Sequence, residues 1–169
     1  MRPVVDRLLE HMKASNRQVK EMEAQIKAWH EASDLSRKLA AVPGIGPLTA
    51  GALVTSIADA RSCKNGRQVA AWLGLVPKQD SSGGEPKLLG MSKRGDTYLR
   101  TLLIHGGRST VVAAQRWEKP NPWLQGLLTR RHPGTAAVAL ANKNARTVWA
   151  LLAHEWEFRA DYVPRPPLA

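Results

Sequence analysis

Hydrophobic residues in the first part of the chain recur at alternating intervals of three and four. Val5, Leu8, Met12, Ser15, Val19, Met22, Ile26 and Trp29 form one seam, broken only by the polar Ser15. Residues 4–33 contain no Gly or Pro, and the positions off the seam are largely Lys, Arg, Glu, Gln and Asn. The pattern predicts one helix with a heptad stripe, about 45 Å long at 1.5 Å per residue. So narrow a stripe suits a partner helix in a coiled coil. An amphipathic helix lying on its own domain is the alternative.

After residue 34 the pattern changes to short helices separated by Gly and Pro. Ser33 or Asp34 can cap a helix carrying Leu35 and Leu39, and Pro47 suits the first turn of a helix carrying Leu48, Ala52, Leu53 and Ile57. Residues 62–74 predict a third helix with Val69, Ala70 and Trp72, ended by Gly74; residues 75–94 are polar and glycine-rich, with at most a short hairpin. Helices are expected over 95–115, near 123–130 and over 135–158, the last carrying Val138, Leu140, Val148, Leu151, Leu152 and Trp156. The tail after 160 is Pro-rich and expected to be loose. The fold class is therefore all-α: a projecting helix (1–34), a compact helical domain (35–160) and a tail (161–169).

Charge divides the chain at the same place. Residues 1–36 hold six basic and six acidic side chains, whereas residues 37–169 hold 19 basic and eight acidic and so carry the whole net charge of +11. Such an excess on one part points to a polyanion, nucleic acid first, rather than to a uniformly basic soluble surface. Other classes are excluded. No apolar run approaches the roughly 20 residues of a membrane span, and the start of the chain lacks a signal-peptide core. A single cysteine, Cys63, excludes an internal disulfide and a multi-cysteine zinc site. His11, His30, His105, His132 and His154 show no ligand spacing. A cytoplasmic, nucleoid-associated protein is expected.

Two stretches carry candidate chemistry. In Leu39-x-x-Val42-Pro43-Gly44-Ile45-Gly46-x-x-x-Ala50, Gly44 and Gly46 permit a tight turn. Its backbone N–H groups lie at the start of a helix, where the dipole favours an anion. Ile45 plugs the turn into the core and Ala50 permits close helix approach. This has the form of a helix-hairpin-helix that grips DNA phosphates; a plain αα turn is the alternative. The second stretch is Ser81-Ser82-Gly83-Gly84 amid Lys78, Lys87, Lys93, Arg94 and Arg100. Such a loop can hold a phosphate and bring a hydroxyl to it. A serine attacks only when a base, a metal or cationic surroundings stabilise its alkoxide, and Ser/Gly-rich loops taken alone are mostly linkers. Lys143, Asn144 and Arg146 share a polar segment of the last helix and are further candidates for nucleic acid, or a solvated face. Asp96 and Asp80 could orient a cation or serve as a base, and Asp96 could equally cap a helix. Trp72, Trp149 and Trp156 are expected in the core, with Trp117 and Trp123 open.

In order along the chain stand Pro43-Gly44-Ile45-Gly46-Pro47, Asn65-Gly66-Arg67-Gln68, Ala71-Trp72-Leu73-Gly74-Leu75-Val76-Pro77, Ser81-Ser82-Gly83-Gly84 and Ser92-Lys93-Arg94-Gly95-Asp96 with Leu99-Arg100-Thr101-Leu102-Leu103. Together with Ala141-Asn142-Lys143-Asn144-Ala145-Arg146 they resemble the C-terminal domain of insertion sequence 110 family transposases, especially the 1111 subgroup, over roughly residues 35–158. The resemblance implies DNA recombination guided by an element-encoded RNA. It implies a serine nucleophile before a glycine, which maps onto Ser82 with Ser81 next, and a covalent protein–DNA link. It also implies a coiled-coil segment, matching residues 4–33 and a homo-oligomer. Mg²⁺ belongs to a preceding acidic domain of the family. The acidic residues before position 36 lie on a charge-balanced helix and do not reproduce that domain. No metal site is expected in this chain, and alone it is expected not to catalyse. A noncatalytic DNA-binding and dimerisation unit is the alternative function.

Overall fold

The heptad stretch forms one uninterrupted helix, α1 (Arg2–Ala32), with no buried residue. This computed structural model describes residues 2–57, 59–82, 85–118 and 121–160, and at residues 81, 82, 85 and 86 the backbone only. At 31 residues, α1 extends about 46 Å. Only its last turns are docked. Trp29 lies against Gly51, where a Cβ would come 3.1 Å from the indole. His30 Nδ1 is 2.7 Å from the hydroxyl of the buried Ser36. Most of the seam, from Val5 to Met22, stands exposed.

Ser33 caps α2 (Asp34–Ala40) by accepting from the Ser36 N–H, and α3 (Pro47–Ser56) starts on Gly46 with Pro47 in its first turn. A 3₁₀ turn (Ala60–Ser62) leads to α4 (Gly66–Trp72), capped by Asn65. The end of α4 is a Schellman turn: Leu75 N–H reaches Ala70 O, Gly74 N–H reaches Ala71 O, and Gly74 takes φ +69°. Beyond it lies the short hairpin that the sequence allowed in an otherwise helical chain. Strands β1 (Pro77–Ser82) and β2 (Glu85–Met91) form an antiparallel hairpin with an irregular step between Pro77 and Gln79. Helices α5 (Thr97–Ala114), α6 (Pro122–Leu128) and α7 (Pro133–Ala153) complete the mostly helical fold.

The core lies where α2, α3, α4, α5 and α7 meet. Leu39, Leu53, Leu73, Leu99, Leu103 and Val148 are fully buried there. A smaller cluster, Val111, Leu124 and Ala137 among it, joins α5 and α6 to the start of α7. Among the described residues no helix is long and apolar enough to cross a membrane. The tail after residue 160 lies outside them.

Three tryptophan expectations divide. Trp149 is half-buried and donates its indole N–H to Ala60 O and Cys63 O, at 3.0 and 3.1 Å. Trp72 instead is 44% exposed on the outer face of α4. Trp156 is 59% exposed, because α7 stops at Ala153 and the chain turns away through Glu155 at φ +57°. There Trp156 stacks on His154 at 4.6 Å.

Candidate nucleic-acid interface

The turn between α2 and α3 is built from Val42, Ile45 and two glycines with different tasks. Val42 and Ile45 are buried in the main core, so Ile45 shapes the turn from inside and offers no side chain to a ligand. Gly44 takes φ +89°, and a Cβ there would sit 2.7 Å from Thr110 Oγ1 and 2.8 Å from Gly106 O. Glycine at 44 thus answers to the close approach of α5. Gly46 is extended and exposed, with nothing within 4 Å of where its Cβ would be. No side chain caps α3 there, so its first N–H groups lack the acceptor that Ser33, Asn65, Asp96 and Asn121 give to other helices. An anion could take that place. Gly44→Ala should therefore cost at least about 1–2 kcal/mol from the left-handed backbone alone, whereas Gly46→Val should cost less than about 1 kcal/mol as a poorer cap. Thermal melts of the two variants check this order.

The hairpin carries the second group of candidates. Its register pairs Ser82 with Glu85, Ser81 with Pro86 and Asp80 with Lys87. Ser81 and Ser82 are the last paired residues of β1, and Gly83–Gly84 lie outside the described residues. Lys78, Lys87, Lys93 and Arg94 are all exposed. The root is fixed: Val76 and Met91 pack against the core, Ser92 N–H bonds Val76 O at 2.8 Å, and Lys93 N–H bonds Gly74 O at 3.1 Å. Lys93 is held at φ +56°, a conformation that costs a lysine energy.

Arg100 does not join these cations. It is only 8% exposed. Its guanidinium donates to Leu73 O at 3.1 Å, Gly95 O at 3.4 Å and Thr97 Oγ1 at 3.0 Å. A buried charge persists only with such partners, and here it meets the negative end of the α4 dipole at the cap residue Leu73. Arg100 therefore ties α4 to the loop before α5 and is withdrawn from the DNA candidates. Asp96 is the N-cap of α5, accepting from Leu99 N–H at 2.8 Å.

Helix α7 holds both candidate regions. Asn142 Nδ2 donates to Leu75 O beside the hairpin root, at 3.1 Å, and Asn144 Nδ2 donates to Pro43 O in the α2–α3 turn, at 2.9 Å. Asn144 is 3% exposed, so it organises the turn rather than facing a ligand. Between and beyond these asparagines, Lys143 and Arg146 are exposed. The Lys143 ammonium lies 4.3 Å over the Trp123 ring, and partial burial lowers its pKa from the usual lysine value. Sequence reasoning had no signal for the two asparagine tethers beyond their polar character inside a helix. Among the described residues no three His, Cys, Asp or Glu side chains gather where they could hold a metal ion.

These elements fall within one known grouping. The model of the transposase IS116/IS110/IS902 family matches residues 36–121, from within α2 to the residue before α6. The chain belongs to that family. Its relatives include a probable family 20 transposase of Pseudomonas aeruginosa, 50% identical over 153 residues, covering 90% of this chain and 45% of that protein. The transposase for insertion sequence element IS1111A of Coxiella burnetii is 39% identical over 160 residues, covering 94% of this chain and 44% of that protein. The transposase for insertion sequence element IS1328 of Yersinia enterocolitica is 38% identical over 152 residues, covering 88% and 45%. The chain thus spans less than half the length of these relatives. The first two of these matches, over 153 and 160 residues, are longer than the stretch the family model covers and take in at least part of α1.

Proposed function

We propose that this chain is the DNA-gripping, serine-bearing part of a recombinase that moves an insertion element. Ser82, or Ser81 beside it, would attack a DNA phosphate. A bond forms from the serine oxygen to phosphorus, the bond from phosphorus to one sugar oxygen breaks, and that oxygen leaves as a hydroxyl. The observation supporting this most is the hairpin itself. It carries the serine pair to its far end, with exposed Lys78 and Lys87 on its two strands and the root clamped to the core. Positive charge there favours both a phosphate and the developing charge on attack. Mg²⁺ would be held by carboxylates outside these residues, and an element-encoded RNA would guide the complex. Within the cell such a protein would work at the nucleoid.

The exposed start of α3 would grip the backbone of duplex DNA in the manner of a helix-hairpin-helix. Gly46→Val, which leaves the core untouched, should weaken duplex binding at least about 5-fold with an unchanged circular dichroism spectrum. Undiminished binding by a folded variant would take the turn out of the DNA surface.

Helix α1 would pair with its copy in a second chain. Leu8, Met12, Val19 and Met22 stand exposed, and burying such a seam in a coiled coil removes them from water. Met22→Glu with Ile26→Glu should shift the protein to monomer by sedimentation. A parent chain that stays monomeric at high concentration contradicts the pairing. The noncatalytic reading, a DNA-binding and dimerisation unit, keeps both of these surfaces and discards only the serine chemistry.

A further inference from the structure

Between the end of α5 and α6 lies a cleft of about 380 Å³. Leu124 and Leu128 of α6 give it an apolar floor, and the indole of Trp117, 39% exposed, forms a wall. Gln115, Gln125 and Glu118 complete it, and no intrachain partner is found for the two glutamine amides among the described residues. A flat aromatic face with amides around it is the chemistry that receives a nucleobase. The ring stacks, and the amides and carboxylate meet donors and acceptors on the base edge. Glu118 repels a phosphate but accepts from an exocyclic amine.

The surroundings supply what the cleft lacks. Residues 97–154 contain eight Lys and Arg and one acidic residue, Glu118 itself. One of the eight, Arg100, is buried. Arg116 precedes Trp117, Arg130 and Arg131 follow α6, and Lys143 rests on Trp123, a second indole that is 41% exposed in the first turn of α6. An aromatic cleft flanked along the chain by basic residues fits a polyanion whose bases are free.

We infer that the α5–α6 cleft takes an unpaired nucleobase of a single-stranded nucleic acid, stacked on Trp117, with the strand's phosphates drawn by the basic residues that flank the cleft in the chain. The occupant is a strand of DNA or of RNA, since both present the same base and phosphate. Duplex DNA, whose bases are stacked and paired, is left to the α2–α3 turn. The inference rests on the proposed nucleic-acid function but uses different residues from those assigned to duplex binding.

The test measures three probes on the full chain: 12-nucleotide single-stranded DNA and RNA oligomers of one sequence, each with one 2-aminopurine, and the DNA duplex. Trp117→Ala should weaken binding of the single strands by about 5- to 150-fold and lose the quenching of 2-aminopurine. Duplex affinity should stay within about 2-fold, and Trp117→Phe should restore most of the loss. Equal binding of both single strands, or a preference for RNA through its 2′-hydroxyls, both support the site. No loss on Trp117→Ala, or an equal loss on single strands and duplex, overturns it. A polyglutamate peptide that binds with the same dependence on Trp117 also overturns it, making the cleft a docking site for acidic protein. Loss of duplex binding by Gly46→Val with single-strand binding intact leaves this inference standing; failure of every probe on the parent chain removes the nucleic-acid function itself.

Discussion

Raising salt from about 50 to about 200 mM should weaken duplex DNA binding by between about 40-fold and about 10³-fold. Each phosphate neutralised by a lysine or arginine releases condensed counterions, so affinity falls with a slope near −0.9 per contact on logarithmic axes. With Arg100 buried, six exposed candidates remain: Lys78, Lys87, Lys93, Arg94, Lys143 and Arg146. All six engaged give about 10³-fold, and three give about 40-fold. The slope thus counts the cations that meet DNA. Replacing Lys143 or Arg146 singly should lower it by about one unit for each that touches a phosphate. A fall of less than about 3-fold over this range would show that backbone charge does not drive binding. The same salt change should leave pairing through α1 nearly unaffected, since the exposed seam is apolar.

The parts of this surface that could be read in the sequence are those set by local rules. The α2–α3 turn followed from its glycines and Pro47, and the α5 cap from Asp96, because caps and turns are chosen by residues a few positions apart. The exposed seam on α1 followed from a heptad period with no polar break except Ser15. What stayed hidden depends on residues distant in sequence. The charge of Arg100 suggested a DNA contact, and only the carbonyls of Leu73 and Gly95 around it reveal a structural clamp. Asn144 read as a surface polar residue until Pro43 O, 101 residues away, stood within 2.9 Å. Hydrophobicity alone places Trp72 and Trp156 in the core, but an indole on the outer face of a helix, or beyond a helix end, remains in solvent.

The hairpin illustrates the same limit. Its strand sequences, Pro-Lys-Gln-Asp-Ser-Ser and Glu-Pro-Lys-Leu-Leu-Gly-Met, lack the alternation that marks a half-buried strand. They pair because the root is anchored at Val76 and Met91 and held by the Schellman turn, while Lys78–Asp80 and Lys87–Gly90 stand exposed. A two-stranded ribbon without a core is marginal by itself, so its order comes from α4, α5 and α7 through Arg100 and Asn142. The placement of the serine pair therefore depends on residues outside the hairpin, Arg100 and Asn142 among them.

Replacing Ser82 should abolish covalent attachment to DNA in the full-length, RNA-loaded, Mg²⁺-supplied transposase that contains this region. Loss of the attacking oxygen leaves no atom to form the link, so the adduct should fall by more than about 10³-fold, below detection on a denaturing gel. Duplex binding by Ser82→Ala should stay within about 10-fold of the parent, because one hydroxyl contributes about 0.5–1.5 kcal/mol beside a grip made by several charges. The fold should be unchanged, since Ala keeps the backbone pairing of residue 82 with Glu85. Ser81→Ala is the matched control, with the adduct expected to persist. If Ser81→Ala removes the adduct and Ser82→Ala does not, the nucleophile lies one residue earlier on the same strand. If both variants form it at the parent's level, the hairpin only holds phosphate, and the noncatalytic DNA-binding unit becomes the function of this chain.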